Sequence, residues 1–365
     1  MHRPLVSVVV PVYNGARYLG EALQSLVQQT YPSVEILVMD DASTDETPVI
    51  AQSFGASIQY HRQPANLGIY ENVNAGIAMA RGEFIATYHA DDVYEPTIIE
   101  RQVECFSRYP ELAAVFCLDI FIDEHGQEYG RLRVPSVVRG SKPLDAAVVF
   151  NALLTYKNVF LVCPTAMVRR SVHQAIGVYD QVTWKNTSDI DMWIRISRNF
   201  PILVLEEYLM RYRHFPGQSS RRYHRLRREP SRFFAIMDRY LAGELGGLAT
   251  GEARRAYEAH RAEDLLMIAV NEYIAGDLGA VAVTLRRARP RSILGSDKIQ
   301  RARMLTLYML LWAACRVSRS SLLAALFLWR WQSGRTYGRQ PALHGLGRTL
   351  RAWWRNEASL SEPAR

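Results

Sequence analysis

The sequence of 365 residues lacks the markers of several common protein classes. Its four cysteines show no C-x-x-C spacing, which argues against a zinc site or a disulfide framework and favours a reducing compartment. It has neither a G-x-G-x-x-G motif nor a G-x-x-x-x-G-K-[ST] motif, so a dinucleotide-binding fold and a P-loop are disfavoured. Residues 1–4 have neither the basic nor the apolar region of a secretory signal. We therefore expect a cytoplasmic protein.

Long apolar runs are also missing, and acidic residues are scarce in the last part of the chain. Residues 285–365 contain 16 Lys and Arg but 3 Asp and Glu, whereas the net charge of the whole chain is +8. The apolar stretches 304–315 and 322–331 are shorter than the roughly 20 residues that span a bilayer. They are predicted to lie on an anionic membrane surface or, alternatively, to pack as a helical pair on protein. Five tryptophans would sit at headgroup level: Trp312, Trp329, Trp331, Trp353 and Trp354. No nucleic-acid motif accompanies the basic tail, so nucleic acid is not an expected partner.

Strands and helices alternate four times in roughly the first 110 residues. Short apolar segments, predicted as strands at 6–10, 35–39, 58–60 and 84–88, are each followed by a predicted helix. This alternation predicts a doubly wound, mostly parallel sheet with flanking helices. Ser43 and Glu46 form a capping-box signature for the second helix, and Pro96 is predicted to open the fourth.

Polar residues follow three of these strands. They are Tyr13 with Asn14, Asp40 with Asp41, and Asp91 with Asp92. Because the carboxyl ends of parallel strands meet at one edge of a sheet, we expect the three loops to face one ligand-binding crevice.

The adjacent carboxylates of Asp91 and Asp92 repel each other unless a cation or a donor relieves the repulsion. Mg²⁺ prefers carboxylates combined with substrate phosphates, so one interpretation is a metal site that holds a diphosphate. The alternative is a solvated turn before a helix. If a nucleotide diphosphate occupies the crevice, Tyr13 would stack on its base, and Asp41 would accept from a base N–H or a ribose hydroxyl.

Four sequence blocks, in this order, carry a resemblance to a known family. The first two contain the ends of strands one and two, the third is Asn66-Leu67-Gly68, and the fourth runs from Ala80 to Asp92. Together with their spacing, they resemble the family 2 glycosyltransferases, which have the GT-A fold, over about residues 5–220. The blocks read VSVVVPVYNG, ILVMDDASTD, NLG and ARGEFIATYHADD.

The resemblance implies an inverting enzyme that uses a nucleotide-diphospho-sugar and a divalent metal, Mn²⁺ or Mg²⁺. By position, three residues would contact the nucleotide: Pro11, Tyr13 and Asp41. Asp91 and Asp92 would form the Asp-x-Asp-type motif, in which Asp92 is the expected direct metal ligand. His89 stands where many members have another Asp, so the motif is shorter here.

A second acidic block lies at residues 188–195. Asp189 shares helical i, i+3, i+4 spacing with apolar residues, which places it in the first turn of a helix facing the cleft. The alternative is an ordinary helix start, where acids are favoured by the dipole. The block resembles the family's Glu-Asp motif, whose Asp is the proposed general base. Asp189 takes that position, Ser188 replaces the Glu, and Asp191 is the competing candidate.

The segment 211–219 resembles a family block in which a His approaches the diphosphate. His214, or the neighbouring Arg213, would neutralise charge on the leaving group. A surface His among basic residues is the alternative interpretation.

The remaining segments complete the predicted organisation. Strands are predicted at 113–117 and 120–123, and a helical hairpin at 254–275 and 278–289 with Gly276-Asp277 as its turn. We predict a GT-A domain at 1–225, with a nucleotide-sugar half over about 1–110 and an acceptor half over about 111–225. A helical extension at 226–300 and basic amphipathic helices at 301–365 follow.

These predictions together describe a glycosyltransferase, peripheral on the inner face of a bacterial cell membrane. It would use a UDP- or dTDP-sugar and extend a lipid-linked or surface glycan. Two alternatives stay open: a transferase acting on a protein or soluble acceptor, and a degenerate nucleotide-sugar-binding scaffold.

Overall fold

The computed structural model describes residues 3–215, 218, 227–293, 298–316, 320 and 322–327. Contacts between residues divide the chain into two units. One unit comprises Met1–Phe215 and Ala235–Thr250, and the other comprises Pro216–Phe234 and Gly251–Arg365.

A nine-stranded sheet forms the centre of the first unit. The strand order across it is β3-β2-β1-β4-β8-β6-β9-β5, and β7 pairs with β6. In chain order the strands are β1 (Val6–Val12), β2 (Val34–Asp40), β3 (Gln59–Arg62), β4 (Phe84–Thr87), β5 (Val93–Tyr94), β6 (Ala114–Ile122), β7 (Glu128–Arg131), β8 (Ala166–Arg169) and β9 (Ile202–Arg213).

The two halves of this sheet differ in strand direction. The pairs β1–β2, β1–β4 and β2–β3 are parallel, as the alternation of strands and helices predicts. In the other half, β8 is antiparallel to both β4 and β6, while β6 and β9 are parallel. The predicted α/β class with flanking helices is confirmed, and the sheet as a whole is mixed.

Helices flank the sheet and form the second unit. In chain order they are α1 (Ala16–Val27), α2 (Thr47–Ser53), α3 (Ile69–Met79), α4 (Ile98–Arg108), α5 (Ala146–Tyr156), α6 (Arg170–Ile176), α7 (Gln181–Trp184), α8 (Ser188–Asn199), α9 (Arg232–Ala242), α10 (Gly251–Ile274), α11 (Leu278–Arg287), α12 (Pro290–Ile293) and α13 (Lys298–Ala314). The apolar faces of α1 and α4 pack on the sheet in one buried cluster with β1, β2 and β4.

The sheet opens at the carboxyl ends of its central strands. The β1–β4 ladder ends at Val9 and Thr87, whereas β1 continues beside β2 to Val12 and Asp40. Pro11 lies beyond the last β1–β4 pair, so its missing N–H removes no hydrogen bond from that ladder. The ends of β1 and β4 therefore lie at the edge of the sheet where a ligand-binding crevice is expected.

Three local predictions are wrong. Ser43 does not cap a helix, because its Oγ accepts from the Asn14 N–H at 2.9 Å, and α2 begins at Thr47 after Glu46. Pro96 does not open α4, which begins at Ile98, since the Pro96 carbonyl accepts from the Thr30 N–H. The two strands predicted at 113–117 and 120–123 are one strand, β6, because β9 pairs along its whole length.

The described part of the second unit consists mainly of helices. The predicted hairpin is confirmed as α10 and α11, and their buried faces share one apolar cluster with α12 and α13. Within the described part of the chain, no helix has the length and apolar character needed to cross a bilayer. Four of the five tryptophans predicted to contact a membrane lie outside the described residues, namely Trp329, Trp331, Trp353 and Trp354.

Candidate active site

The acidic loop, residues 88–92 between β4 and β5, brings together three side chains of the types that can bind a metal. One ligand atom each from His89, Asp91 and Asp92 lies within 4.8 Å of the others. The buried Asp92 carboxylate accepts from the Arg213 main-chain N–H at 2.9 Å through Oδ1. Its Oδ2 is also buried and has no hydrogen-bond partner among the residues that the structure describes. An oxygen in this state is a ligand position that a cation would satisfy.

The pairing of β5 with β9 positions this loop. Val93 lies opposite Arg211, so the antiparallel register brings the main chain of Arg213 to Asp92. The Arg213 side chain is buried, and its Nε donates to the Asp91 carbonyl at 3.0 Å. Its Nη2 pairs with Glu21 at 2.6 Å, and the guanidinium lies over the Tyr18 ring. Arg213 therefore fixes the acidic loop against α1.

The electrostatics of the loop also favour a cation. Burial raises the pKa of Asp91, and burial together with the Asp91 charge raises the pKa of Asp92. Burial lowers the pKa of His89, which favours the neutral imidazole that metals bind. The residues fit a divalent metal. Two carboxylates supply hard oxygen donors, one imidazole supplies a borderline nitrogen donor, and Asp92 Oδ2 has no hydrogen-bond partner among the described residues.

Asp119 is an acidic residue near this cluster that the sequence predictions missed. It lies on β6 with its Oδ1 buried and unpartnered among the described residues. Burial raises its pKa to about 7, and its charge contributes to the raised pKa of Asp92. A single Asp inside the apolar strand 114–122 was the available sequence signal.

The predicted nucleotide contacts lie at the ends of β1 and β2. Tyr13 is 52% exposed directly after β1, and Pro11 is buried within that strand. The buried Asp41 carboxylate accepts from the main-chain N–H groups of Leu67 at 2.7 Å and Gly68 at 2.9 Å. Asp41 therefore holds the loop before α3, and each of its oxygens keeps a second lone pair for a ligand. Direct nucleotide contact by these residues stays a prediction.

Asp189 lies in the first turn of α8, as the spacing predicts. The Tyr70 hydroxyl of α3 donates to its carboxylate, and burial raises the pKa of Asp189 to about 6. The Cys163 thiol and the Tyr179 hydroxyl also lie near this carboxylate, since its charge contributes to their raised pKa values. A carboxylate with a pKa near 6 is ionised at neutral pH yet basic enough to accept a proton.

Asp191, the competing candidate, has both carboxylate oxygens engaged. One accepts from Arg195 Nε at 2.8 Å, and the other accepts from the Tyr240 hydroxyl at 2.7 Å. A buried, paired carboxylate of this kind is suited to holding α8 in place. Asp191 is therefore the more fully engaged of the two carboxylates, and the role of Asp189 as the base stays a prediction.

Tyr179 connects Asp189 to the strand that carries the acidic loop. Its ring stacks on Tyr70 with 5.1 Å between centroids. Its hydroxyl forms a hydrogen bond with Thr87, the last residue of β4 and four residues before Asp91. The two stacked tyrosines thus connect Asp189 to the strand that precedes the acidic loop.

Two further predicted residues have defined surroundings. The Ser188 hydroxyl is buried and donates to the carbonyls of Asp180 and Lys185, so it stabilises the start of α8. His214 forms a hydrogen bond with the Tyr129 hydroxyl through its Nδ1, and its neighbour Arg213 contacts the acidic loop. A role for His214 at a diphosphate stays a prediction.

Comparisons with known proteins show the family of the chain. Residues 7–177 match the family model described as glycosyl transferase family 2. The uncharacterized glycosyltransferase RP339 of Rickettsia prowazekii is 31% identical over 221 residues, which cover 60% of this chain and 67% of that protein. The chain belongs to glycosyltransferase family 2. The family assignment makes it a transferase with a GT-A-like catalytic domain, as the sequence blocks indicate.

Other family members show how far the similarity extends. An uncharacterized glycosyltransferase of Rickettsia felis is 32% identical over 60% of this chain, but the match covers only 36% of that protein. The structure of S. aureus TarS residues 1–349 in complex with UDP-GlcNAc has a TM-score of 0.55 at 18% identity. That similarity covers 91% of this chain and 93% of the TarS chain, and at this identity it shows the fold alone.

Proposed function

We propose that this family 2 enzyme is an inverting glycosyltransferase that moves a sugar from a nucleotide-diphospho-sugar to a hydroxyl acceptor. The observation that carries the proposal is the cluster of His89, Asp91 and Asp92, in which Asp92 Oδ2 is buried and has no hydrogen-bond partner in the described part of the chain. UDP- and dTDP-sugars are the donors to test first. TarS, which shares the fold, is in complex with UDP-GlcNAc in its structure, and this supports testing UDP-sugars first.

In the proposed reaction, the acceptor oxygen attacks the anomeric carbon directly. Asp189 takes the hydroxyl proton as the new carbon–oxygen bond forms. The bond from the anomeric carbon to the diphosphate oxygen breaks, and its electron pair leaves with the nucleoside diphosphate. Because one displacement occurs, the configuration at the anomeric carbon inverts.

Charge develops on the leaving diphosphate as this bond breaks. A divalent metal held by His89, Asp91 and Asp92 would supply a Lewis acid for that charge. Arg213 keeps the loop in place through its bonds to the Asp91 carbonyl and the Asp92 carboxylate. We propose that the acceptor is held by the region of about residues 111–225, which contributes Asp189.

The proposal is tested by the melting temperature of the purified chain with UDP-, dTDP-, GDP- and CMP-sugars, each with Mn²⁺ and with EDTA. A ligand at about 100 times its Kd stabilises the folded state by about 2.7 kcal/mol. For a domain of this size that raises the melting temperature by roughly 5–10 °C. A rise with one donor that requires Mn²⁺ supports the proposal. No rise with any donor would favour the scaffold alternative.

Tyr70 is predicted to set the pH dependence of this reaction. Activity requires ionised Asp189, so kcat/KM should fall about tenfold per pH unit below a pKa of about 6. The Tyr70 hydroxyl stabilises the ionised form, because it donates to the carboxylate. In Tyr70→Phe the ring still stacks on Tyr179, but that bond is lost. We therefore expect the acid limb of the kcat/KM profile to move to higher pH.

Tyr31→Phe is the matched control for this measurement. It also removes one buried hydroxyl, which donates to the Pro4 carbonyl far from Asp189 in the sequence. Its acid limb should coincide with that of the unmodified enzyme. An unmoved limb in Tyr70→Phe, or an equal shift in Tyr31→Phe, would contradict the assignment of Asp189 and Tyr70.

We also propose that the enzyme works at the inner face of a bacterial membrane on a lipid-linked or surface glycan. Support comes from α13, where Met309 is 61% exposed and Trp312 is 49% exposed. The Arg316 guanidinium lies over the Trp312 ring at 3.3 Å. Exposed apolar side chains beside arginines are typical of helices that lie in the interface of an anionic membrane.

Co-sedimentation with phosphatidylglycerol vesicles tests this membrane association. Met309→Ser with Trp312→Ser should reduce the bound fraction several-fold. Val182→Ser, which removes an 84% exposed apolar residue from the first unit, should leave it unchanged. An unmodified chain that stays in the supernatant would favour the protein or soluble-acceptor alternative.

A further inference from the structure

The second unit contains a cavity of about 490 Å³, a size typical of small-molecule sites. Its walls come from Pro230 and the first turn of α9, from α10, from the end of α11 and from the α12 region. The family model ends at residue 177, so the family assignment does not extend to this cavity. Four arginines line it: Arg261, Arg286, Arg287 and Arg289.

The lining of the cavity contains more arginines than acidic residues. The acids lining the cavity are Glu258 and Asp264. Asp264 is already engaged, because it pairs with Arg227 and accepts from the Ser231 main-chain N–H at 3.1 Å. Within the described ranges, Arg286, Arg287 and Arg289 form no ion pair. Glu258 is therefore the one lining carboxylate without an arginine partner among the described residues, and four described arginines line the same cavity.

Apolar side chains form the rest of the wall. Phe234 and Ala262 are buried and Leu265 is half-buried, and all three line the cavity. A ligand that fills this space would meet guanidinium groups on one part of its surface and hydrocarbon on another. An inorganic anion alone would leave the apolar part uncovered.

We propose that this cavity binds a phosphate or diphosphate ester whose organic part packs against Phe234 and Leu265. Guanidinium groups donate paired N–H bonds that match the oxygens of a phosphate, and they shed water more readily than lysine does. The apolar wall gives an ester an advantage over free phosphate. This binding is independent of the glycosyl transfer proposed for the first unit.

Isothermal titration of the full chain with phenyl phosphate in EDTA tests the proposal. EDTA removes metal, so the acidic loop of the first unit, whose net charge is negative, does not attract the probe. We expect phenyl phosphate to bind more tightly than inorganic phosphate. Arg287→Glu combined with Arg289→Glu should weaken binding at least tenfold, because two exposed cations of the cavity become anions.

Arg255→Glu is the control for charge reversal, because it reverses one exposed charge on α10 outside the cavity. Its affinity for phenyl phosphate should equal that of the unmodified chain, and circular dichroism checks that all variants are folded. Absence of binding to the unmodified chain, or equal weakening by Arg255→Glu, would overturn the proposal. So would equal affinity for phenyl phosphate and inorganic phosphate, which would indicate general charge attraction.

Vesicle binding distinguishes two sources of the phosphate ester. If phosphatidylglycerol vesicles bind the chain, phosphatidylcholine vesicles do not, and the double variant loses binding, the ligand is a lipid headgroup. If phenyl phosphate binds but the double variant binds vesicles to the same extent as the unmodified chain, the ligand is a soluble ester. Either result supports the cavity as a phosphate-ester site, whatever the outcome of the donor screen.

Discussion

The Asp189→Asn variant is expected to lose about 10²–10⁴-fold in kcat while its affinity for the donor stays unchanged. The amide is nearly the same size as the carboxylate, so the stack of Tyr70 and Tyr179 has no reason to rearrange. The amide cannot, however, accept the proton of the acceptor hydroxyl. Turnover is measured as release of nucleoside diphosphate from the donor identified in the screen, and donor affinity is measured by thermal shift.

Two further variants make this result specific to Asp189. Asp180→Asn changes another acid of the same segment, whose Oδ1 accepts from the Thr183 N–H at the start of α7, and Asn also caps helices well. It should keep nearly normal kcat. Asp191→Asn should lower the melting temperature, because a buried pair with Arg195 is broken. Normal kcat in Asp189→Asn would remove this residue from the base role, and a large loss of kcat in folded Asp191→Asn would transfer the role to Asp191.

The Asp92→Asn variant is expected to abolish the Mn²⁺-dependent rise in melting temperature that a donor sugar produces. The Oδ1 atom is retained and still accepts from the Arg213 N–H, so the loop keeps its anchor. The atom replaced is Oδ2, which is buried without a hydrogen-bond partner among the described residues, and an amide N–H₂ group does not bind a cation there. The expected loss is therefore the whole metal-dependent shift, roughly 5–10 °C at saturating donor.

Glu111→Gln is the control for this charge change, since Glu111 is an exposed acid that follows α4. It should retain the full shift. Melting temperatures in EDTA show whether either variant is destabilised before metal is added. A shift that persists in Asp92→Asn would show that Mn²⁺ binds elsewhere, and the proposed catalytic role of the loop would then fail.

Local pattern was sufficient where the chemistry depends on a few consecutive residues. The alternation of apolar strands with amphipathic helices predicted the parallel half of the sheet, because a buried parallel strand needs apolar side chains on both faces. Helical spacing placed Asp189 in the first turn of α8, and the adjacent acids Asp91 and Asp92 indicated a cation site. The resemblance of four blocks to family 2 glycosyltransferases added the roles proposed for Pro11, Tyr13 and Asp41.

Long-range pairing decided the features that local pattern could not supply. The sequence does not show that β5 pairs with β9, and that pairing brings Arg213 to Asp92 across more than 100 residues. The same limitation hid Tyr70, which reaches Asp189 from α3, and Asp119, which looks like one polar residue in an apolar strand. These contacts arise when distant segments pack against each other. The sequence by itself therefore determined the family, the class of fold and the acidic loop. The tertiary structure decided which side chains hold that loop in place and which shift the pKa values of Asp92 and Asp189.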